Sequence, residues 1–477
     1  MTSINVEYSC VRLQDLPDEI LLIIFQKLNN CDVLYSFMGL NERLDTILYD
    51  RIFTRNLSLI KYVHRSYEFN IILDRFSLEI LPKINDKIER LSIESSFIKC
   101  ILLTTNYPNL HALDLYEFEP ETASTLFCDG SYLVNQFQNQ ISSIFIKLKP
   151  RKQRIDELGY TTQDNNIFIF IRICILFKNL RYLNFSSYCN HEQLTFLSTA
   201  PIEFSSSLLE LHVVGITYMY DDILVPLLQR MTNLEELSLY FISVHGPIID
   251  GDNLENNIIN HMTRLNKFTF NICSVIYPDQ LINVPLNEDI KYSFRNFQNN
   301  QIISSVNYFS RTELLYCHVY SYPYTWTFYH KIANNFPGGL FKCVREISLY
   351  DDRPFEHDFF LRITQSFPFV RKLTIDNHEP QHNNHLEQPI IKYSHLVEID
   401  LVKTHEDYLD EFLNKAKICL LNDVHLRVRY DSLKQVTNDF TREETRINCS
   451  KIIRLTVFGK IVERLKLQEY FSHAKIN

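Results

Sequence analysis

The chain has 477 residues, 45% of them apolar, with 48 basic and 57 acidic side chains for a net charge of −9. That composition belongs to a folded protein, long enough for two or three domains or for one elongated array. The negative balance excludes an electrostatic footprint for nucleic acid or an anionic membrane surface, and nine glycines leave little material for phosphate-cradling loops.

Eleven cysteines are scattered along the chain with no CxxC pair, which argues against a zinc or thiol-redox motif. Nothing near Met1 has the pattern of a signal peptide. The expectation is a chain of the cytosol or nucleus, with reduced and mostly buried thiols.

The first predicted element is LPDEILLIIFQKL, Leu16 to Leu28. Pro17 suits a first helical turn, and Asp18 with Glu19 suits the positive end of the helix dipole. Ile20, Ile24 and Leu28 share one helical face, with Leu21 and Phe25 beside it. An unbroken apolar run from Ile20 to Phe25 is more than a surface helix needs. Asn29 and Asn30 end this helix, and Asp32 is placed to cap a second that starts at Val33. NERLDTILYD, Asn41 to Asp50, reads as a third. Three helices of this size are too small to stay folded without a neighbouring domain or a partner.

Beyond them, a pattern of apolar-x-x-apolar-x-apolar returns along most of the chain. It appears as LHALDL from Leu110, LRYLNF from Leu180, LLELHV from Leu208, LEELSL from Leu234 and LNKFTF from Leu265. It continues as VREISL from Val344, VRKLTI from Val370, LVEIDL from Leu396 and IIRLTV from Ile452, with weaker copies at Ile88, Ile141, Leu314 and Leu421. Adjacent copies lie mostly 25 to 31 residues apart. The second and third apolar positions are two apart, so both point to one face of a short strand. Intervening stretches such as Asp221 to Met231 and Asp407 to Ala416 carry helical spacing. One strand–helix unit cannot bury its own apolar face, but stacked copies can, as a parallel ladder with helices outside. The interval from Leu265 to Val344 holds at most one poor copy, so irregular structure is expected there.

IFIFIRICILF, Ile167 to Phe177, is too short for a membrane span and reads as a core element. HVYSYPYTWTFYHK, His318 to Lys331, places Tyr320, Tyr322, Tyr324, Trp326 and Phe328 at even spacing. A recognition patch and a core segment both fit, and core is favoured because aromatics usually pack inside. His357, His378, His382 and His385 lack the cysteine or helical support of a zinc site. No HExxH, GxSxG or HxE…CxxC motif occurs, so neither catalysis nor a cofactor is expected.

Two resemblances emerge from these motifs. The repetition over roughly residues 85–460 resembles the leucine-rich-repeat family in its long, helix-containing form, although the family's Asn or Cys after the strand is matched only at Cys273. LPDEILLIIFQKL followed by Asp32-Val33-Leu34 resembles the F-box, with Leu44 near the place of that family's tryptophan. The resemblance implies an α/β chain: an F-box over 13–60, a linker or capping helix over 61–84, a repeat array over 85–460 that is irregular between 271 and 340, and a cap or tail over 461–477. It implies docking on a Skp-type adaptor, and through it on a cullin, by Leu16, Pro17, Ile20, Leu21, Ile24, Phe25, Leu28, Val33 and Leu34. The array's concave face would bind a target protein, for which Asp114, Tyr116, His212, Tyr240, Tyr350, Asp376 and Phe458 are the candidates. A ubiquitin-ligase recognition subunit and a scaffold that holds the adaptor without a cullin both fit this pattern; a plain capping helix for the array is the blander reading of the first motif.

Overall fold

The structure, a computed structural model, describes residues 13–60, 69–149, 166–187, 207–217, 220–244, 246–277, 285–297, 301–382 and 389–477. The chain is of mixed α/β class and forms two compact units, residues 1–246 with 253–270 and residues 247–252 with 271–477.

Four short helices open the first unit: α1 (Asp18–Phe25), α2 (Asn30–Phe37), α3 (Glu42–Leu48) and α4 (Arg51–Thr54). Polar side chains set their starts. Asn29 accepts from the Cys31 amide at 2.9 Å, Asn41 from Leu44 at 2.8 Å and Asp50 from Ile52 at 2.8 Å. Asn29 is therefore the cap of α2, and Asp32 sits inside its first turn rather than capping it. Leu21, Phe25, Val33, Leu34, Leu48 and Phe53 are wholly enclosed between the helices. Phe25 packs on Phe37 in a tilted arrangement at 4.8 Å and meets Phe53 edge-on at 6.3 Å. Each such side chain contributes roughly 1.5–3 kcal/mol by leaving water.

The helices lead directly into a parallel ladder: β1 (Asn56–Ser58), β2 (Arg90–Glu94), β3 (Ala112–Phe118), β4 (Ser143–Leu148), β5 (Tyr182–Ser187), β6 (Glu210–Thr217) and β7 (Glu236–Val244). Consecutive strands pair in parallel throughout. The second apolar position of each repeat stacks on that of the next, so Leu91, Leu113, Ile144, Leu183, Leu211 and Leu237 form one fully buried column. This column is the physical content of the 25-to-31-residue interval: each copy finds its apolar partner one rung away.

The turn before each strand repeats as well. The amides of Leu110, Leu180, Leu234 and Leu265 donate to the carbonyls of Tyr107, Phe177, Met231 and Met262. An asparagine just before the leucine ties one rung to the last: Asn109 donates to the Asp86 carbonyl at 2.5 Å and Asn179 to that of Asn139 at 2.6 Å. The apolar run from Ile167 lies in the helix Asn166–Leu176, where Ile169, Phe170, Ile171, Ile173 and Cys174 are buried. No helix among the described residues is long and apolar enough to cross a membrane.

β8 (Lys267–Ile276) starts in the first unit and ends in the second. In the second unit its last residues pair antiparallel with β10 (Leu314–Tyr322), which pairs antiparallel with β9 (Gln301–Phe309). The weak copy at Leu314 is thus the start of an antiparallel strand and not a rung of a parallel ladder. Parallel pairing resumes with β11 (Phe328–Ile332), β12 (Glu346–Tyr350), β13 (Lys372–Asn377), β15 (Glu398–Thr404), β17 (Val424–Arg429), β18 (Ile452–Phe458) and β19 (Lys475–Ile476). Two short strands, β14 (Ile391–Tyr393) and β16 (Ile418–Leu420), pair with each other. A second buried column runs through Ile347, Leu373, Ile399, Leu426 and Leu455.

Candidate partner-docking faces

α1 divides its apolar residues between two sides. Leu21 and Phe25 point into the helix cluster, whereas Ile20 is 43% exposed, Ile23 53%, Ile24 36% and Leu28 48%. Within the helix, 100° per residue puts Ile20, Ile23 and Ile24 on one stripe beside the face of Leu21 and Phe25, and Leu28 is exposed just past the helix end. Pro17 is exposed at its start and Leu16 half-buried. Arg43 of α3 fastens that end, donating to the Leu16 carbonyl and to the Asp18 carboxylate at 2.7 Å. Leu21, Phe25, Val33 and Leu34 are therefore core rather than contact residues, because no partner can reach them while the helices stay packed. Ile23 replaces them on the accessible stripe.

The helix cluster is clamped to the ladder at several points. The Glu89 carboxylate receives Arg55 at 2.7 Å and is also bound by Arg51. Lys87 donates to the Tyr49 carbonyl at 3.0 Å and lies over the Tyr49 ring. The Cys31 thiol donates to the Ser58 carbonyl at 3.3 Å, and burial pushes its pKa up to about 12, so it stays protonated. α1's exposed stripe thus stands in a fixed position relative to β1 and β2.

The seven strand-face candidates fall into two groups. In the first unit, Asp114 and His212 lie on one register row that runs Ser92, Asp114, Phe145, Asn184, His212, Ser238. Asp114 is buried: Arg90 grips it with two bonds of 2.8 Å and the Ser92 hydroxyl donates at 2.7 Å. Its role is to bind β2 to β3. Tyr116 is half-buried against Phe145, with ring centres 4.8 Å apart, and burial raises its pKa. His212 packs beside Tyr182 at 5.3 Å, and burial lowers its pKa.

Tyr240 is only 5% exposed and belongs to the core, because β7 is buried on both faces from Leu237 to Phe241. Tyr240→Ala should cost about 3–5 kcal/mol in urea unfolding, in the range for truncating a buried aromatic, rather than selectively weakening a target. In the second unit, Tyr350 packs edge-on to Phe309 at 4.9 Å with Lys331 over its ring, and Asp376 accepts from Lys403 at 3.2 Å. Phe458 is 39% exposed, with the Arg427 guanidinium 5.5 Å above its ring.

The aromatic stretch from His318 is mostly core. Tyr320, Tyr324 and Tyr329 are buried with Phe341, while Tyr322, Trp326 and Phe328 are half-buried. A chain of bonds runs through it. Tyr324 donates to the Phe328 carbonyl at 2.7 Å and receives Asn271 Nδ2 at 2.6 Å; Asn271 Oδ1 accepts from His318 Nε2 at 2.5 Å. Burial lowers the His318 pKa to about 4, against an ordinary 6.5. The unfolded chain then takes up a proton near pH 6.5 and the folded chain only near pH 4, so stability falls as pH drops through that window. The loss reaches about 3 kcal/mol at most, and His318→Gln should flatten that part of the pH–stability curve measured by urea unfolding.

The described histidines of the histidine-rich segments have separate partners or face solvent. His357 is buried between Glu411 and the Pro389 carbonyl, His382 bonds Glu356 at 2.7 Å, His378 is exposed, and His385 lies outside the described residues. No group of three or more metal-binding side chains occurs among the described residues.

Scanned against models of known protein families, the sequence matches none. No curated protein matches it either.

Proposed function

We propose that the chain is the recognition subunit of a cullin-type ubiquitin ligase: an F-box that docks on a Skp-type adaptor, followed by a leucine-rich-repeat array that binds a target protein. The observation that carries the reading is the stripe of Ile20, Ile23 and Ile24, exposed on a helix whose adjacent face, Leu21 and Phe25, is sealed in the core, with Leu28 exposed just past the helix end. A stripe of exposed branched aliphatics on a short helix suits an apolar partner groove. The spacing LPxEILxxIFxxL with DVL behind it supports the family assignment. The repeated strands, their buried columns and the repeated turns support the array.

In this reading the chain performs no bond chemistry. It raises the local concentration of its target beside the ubiquitin-carrying enzyme. The clamps from Arg51, Arg55 and Lys87 suit that task, since they fix the docking stripe relative to the first strands. Affinity purification of the intact chain tests the proposal. Recovery of both adaptor and cullin supports a ligase subunit, adaptor without cullin supports a scaffold that holds the adaptor alone, and neither protein overturns both.

A further inference from the structure

We propose that a groove in the helical layer of the first unit binds a small aliphatic monocarboxylate, its chain against leucine and tyrosine side chains and its head group on Lys99. The groove has a volume of about 330 Å³, within the range of roughly 300–1,000 Å³ for small-ligand pockets. Its lining comes entirely from the connections between strands. One wall is the helix Ile98–Leu102 with Leu103, between β2 and β3; the other is formed by residues between Thr125 and Leu133, which join β3 to β4. No strand residue lines it, so the site is separate from the strand faces and from the N-terminal helices.

Most polar groups in the second wall are already engaged. Thr125 Oγ1 donates to the Thr122 carbonyl at 2.8 Å, the Cys128 thiol to the Thr125 carbonyl at 3.0 Å and Ser131 Oγ to the Leu126 carbonyl at 2.6 Å. Gly130, at φ +79°, carries the backbone through the turn between Cys128 and Ser131, a conformation that strains any other residue. Asp129 is held by Arg172 of the helix Asn166–Leu176 at 2.7 Å, which offsets its charge. These bonds fix the wall before a ligand arrives, so little ordering is left to oppose binding.

What remains open is largely apolar, with one cation. Ile98, Leu102 and Leu133 are buried, and Leu103 and Tyr132 are exposed beside them. Lys99 is exposed and, among the described residues, in no ion pair. An unpaired ammonium beside apolar walls selects an anion with an apolar body. A sugar or a polyphosphate would set polar groups against leucine without partners, whereas a monocarboxylate places one charge on Lys99 and carbon elsewhere. At about 30 Å³ per water the groove holds roughly ten waters, room for a chain of about ten carbons. The inference rests on this groove alone and does not require the N-terminal helices to dock an adaptor.

The test is a saturation-transfer NMR titration of the full chain with decanoate, hexanoate and decylamine. Decanoate is expected to bind with a Kd below about 1 mM. Hexanoate, four methylenes shorter, and decylamine, of opposite charge, should each bind at least about tenfold more weakly. Lys99→Gln should weaken decanoate at least about threefold, and Lys99→Arg should retain it. Leu103→Asp sets a carboxylate at an exposed position of the groove and should abolish detectable decanoate binding while circular dichroism stays unchanged. No binding of decanoate by the parent chain, equal binding of decylamine, or unchanged binding in either Lys99→Gln or Leu103→Asp would overturn the proposal.

Discussion

The double substitution Ile20→Asp, Ile24→Asp leaves the chain folded and abolishes capture of a Skp-type adaptor. Both side chains are substantially exposed, so placing carboxylates there should disturb stability by no more than about 0.5 kcal/mol, the usual range for surface positions. In a docked complex the same carboxylates would enter an apolar contact without partners. Losing two aliphatic side chains and burying two charges costs enough to lower affinity by on the order of a thousandfold or more. Phe25→Asp is the instructive contrast. Phe25 is fully enclosed and packs on Phe37 and Phe53, so its replacement unfolds the helices and removes binding for a trivial reason. Circular dichroism and a thermal melt distinguish the two: the double variant melts with the parent chain, whereas the Phe25 variant loses helical signal.

The second large effect is expected at Glu411 in the second unit. Its side chain is almost fully buried, with Oε1 2.5 Å from His357 Nδ1 and Oε2 3.5 Å from Lys417. His357 Nε2 faces the Pro389 carbonyl at 3.0 Å, and a carbonyl only accepts, so that nitrogen carries a proton. Lys417 in turn reaches Asp410 at 2.7 Å, and Arg442 reaches Asp410 at 2.6 Å. Glu411→Ala strips His357 of one partner in a site closed to water and should destabilise the second unit by about 3–5 kcal/mol, the cost of breaking a buried pair from one side. Glu411→Gln keeps an acceptor for His357 and should cost roughly half as much. Urea unfolding of the full chain, followed by circular dichroism, reads both.

Much of this architecture is legible from residues alone, for a physical reason. A strand with one face buried alternates, and a stacked repeat must return its apolar pair at a constant interval. β2 to β7 and β12, β13, β15, β17 and β18 therefore lie where the spacing of Leu91, Leu113, Leu183, Leu373 and Ile399 puts them, whereas β14, β16 and β19 carry no copy of the repeat. The departures have causes as well. β10 is buried on both faces, so Leu315 to Ser321 carries no alternation to tell an antiparallel strand from a repeat. Tyr240 fails as an outward residue because β7 is covered on both sides from Leu237 to Phe241.

Within α1, periodicity separates Ile20 and Ile24 from Leu21 and Phe25. With every residue from Ile20 to Phe25 apolar, nothing in the pattern says which face turns inward. Tertiary packing decides it, and Leu21 and Phe25 become core. The buried Glu411 was hidden in an ordinary amphipathic pattern, since its partner His357 is 54 residues away. Asn109 and Asn179, by contrast, left a signal: an asparagine directly before the leucine of a repeat.

The most direct measurement is an isothermal titration of a purified Skp-type adaptor into the intact chain and into the Ile20→Asp, Ile24→Asp variant. An equimolar complex with a Kd below about 1 µM for the parent chain, and no detectable heat for the variant, is the predicted result. No binding by the parent, or equal binding by the variant, would contradict the assignment of the exposed isoleucine stripe as the adaptor-docking face.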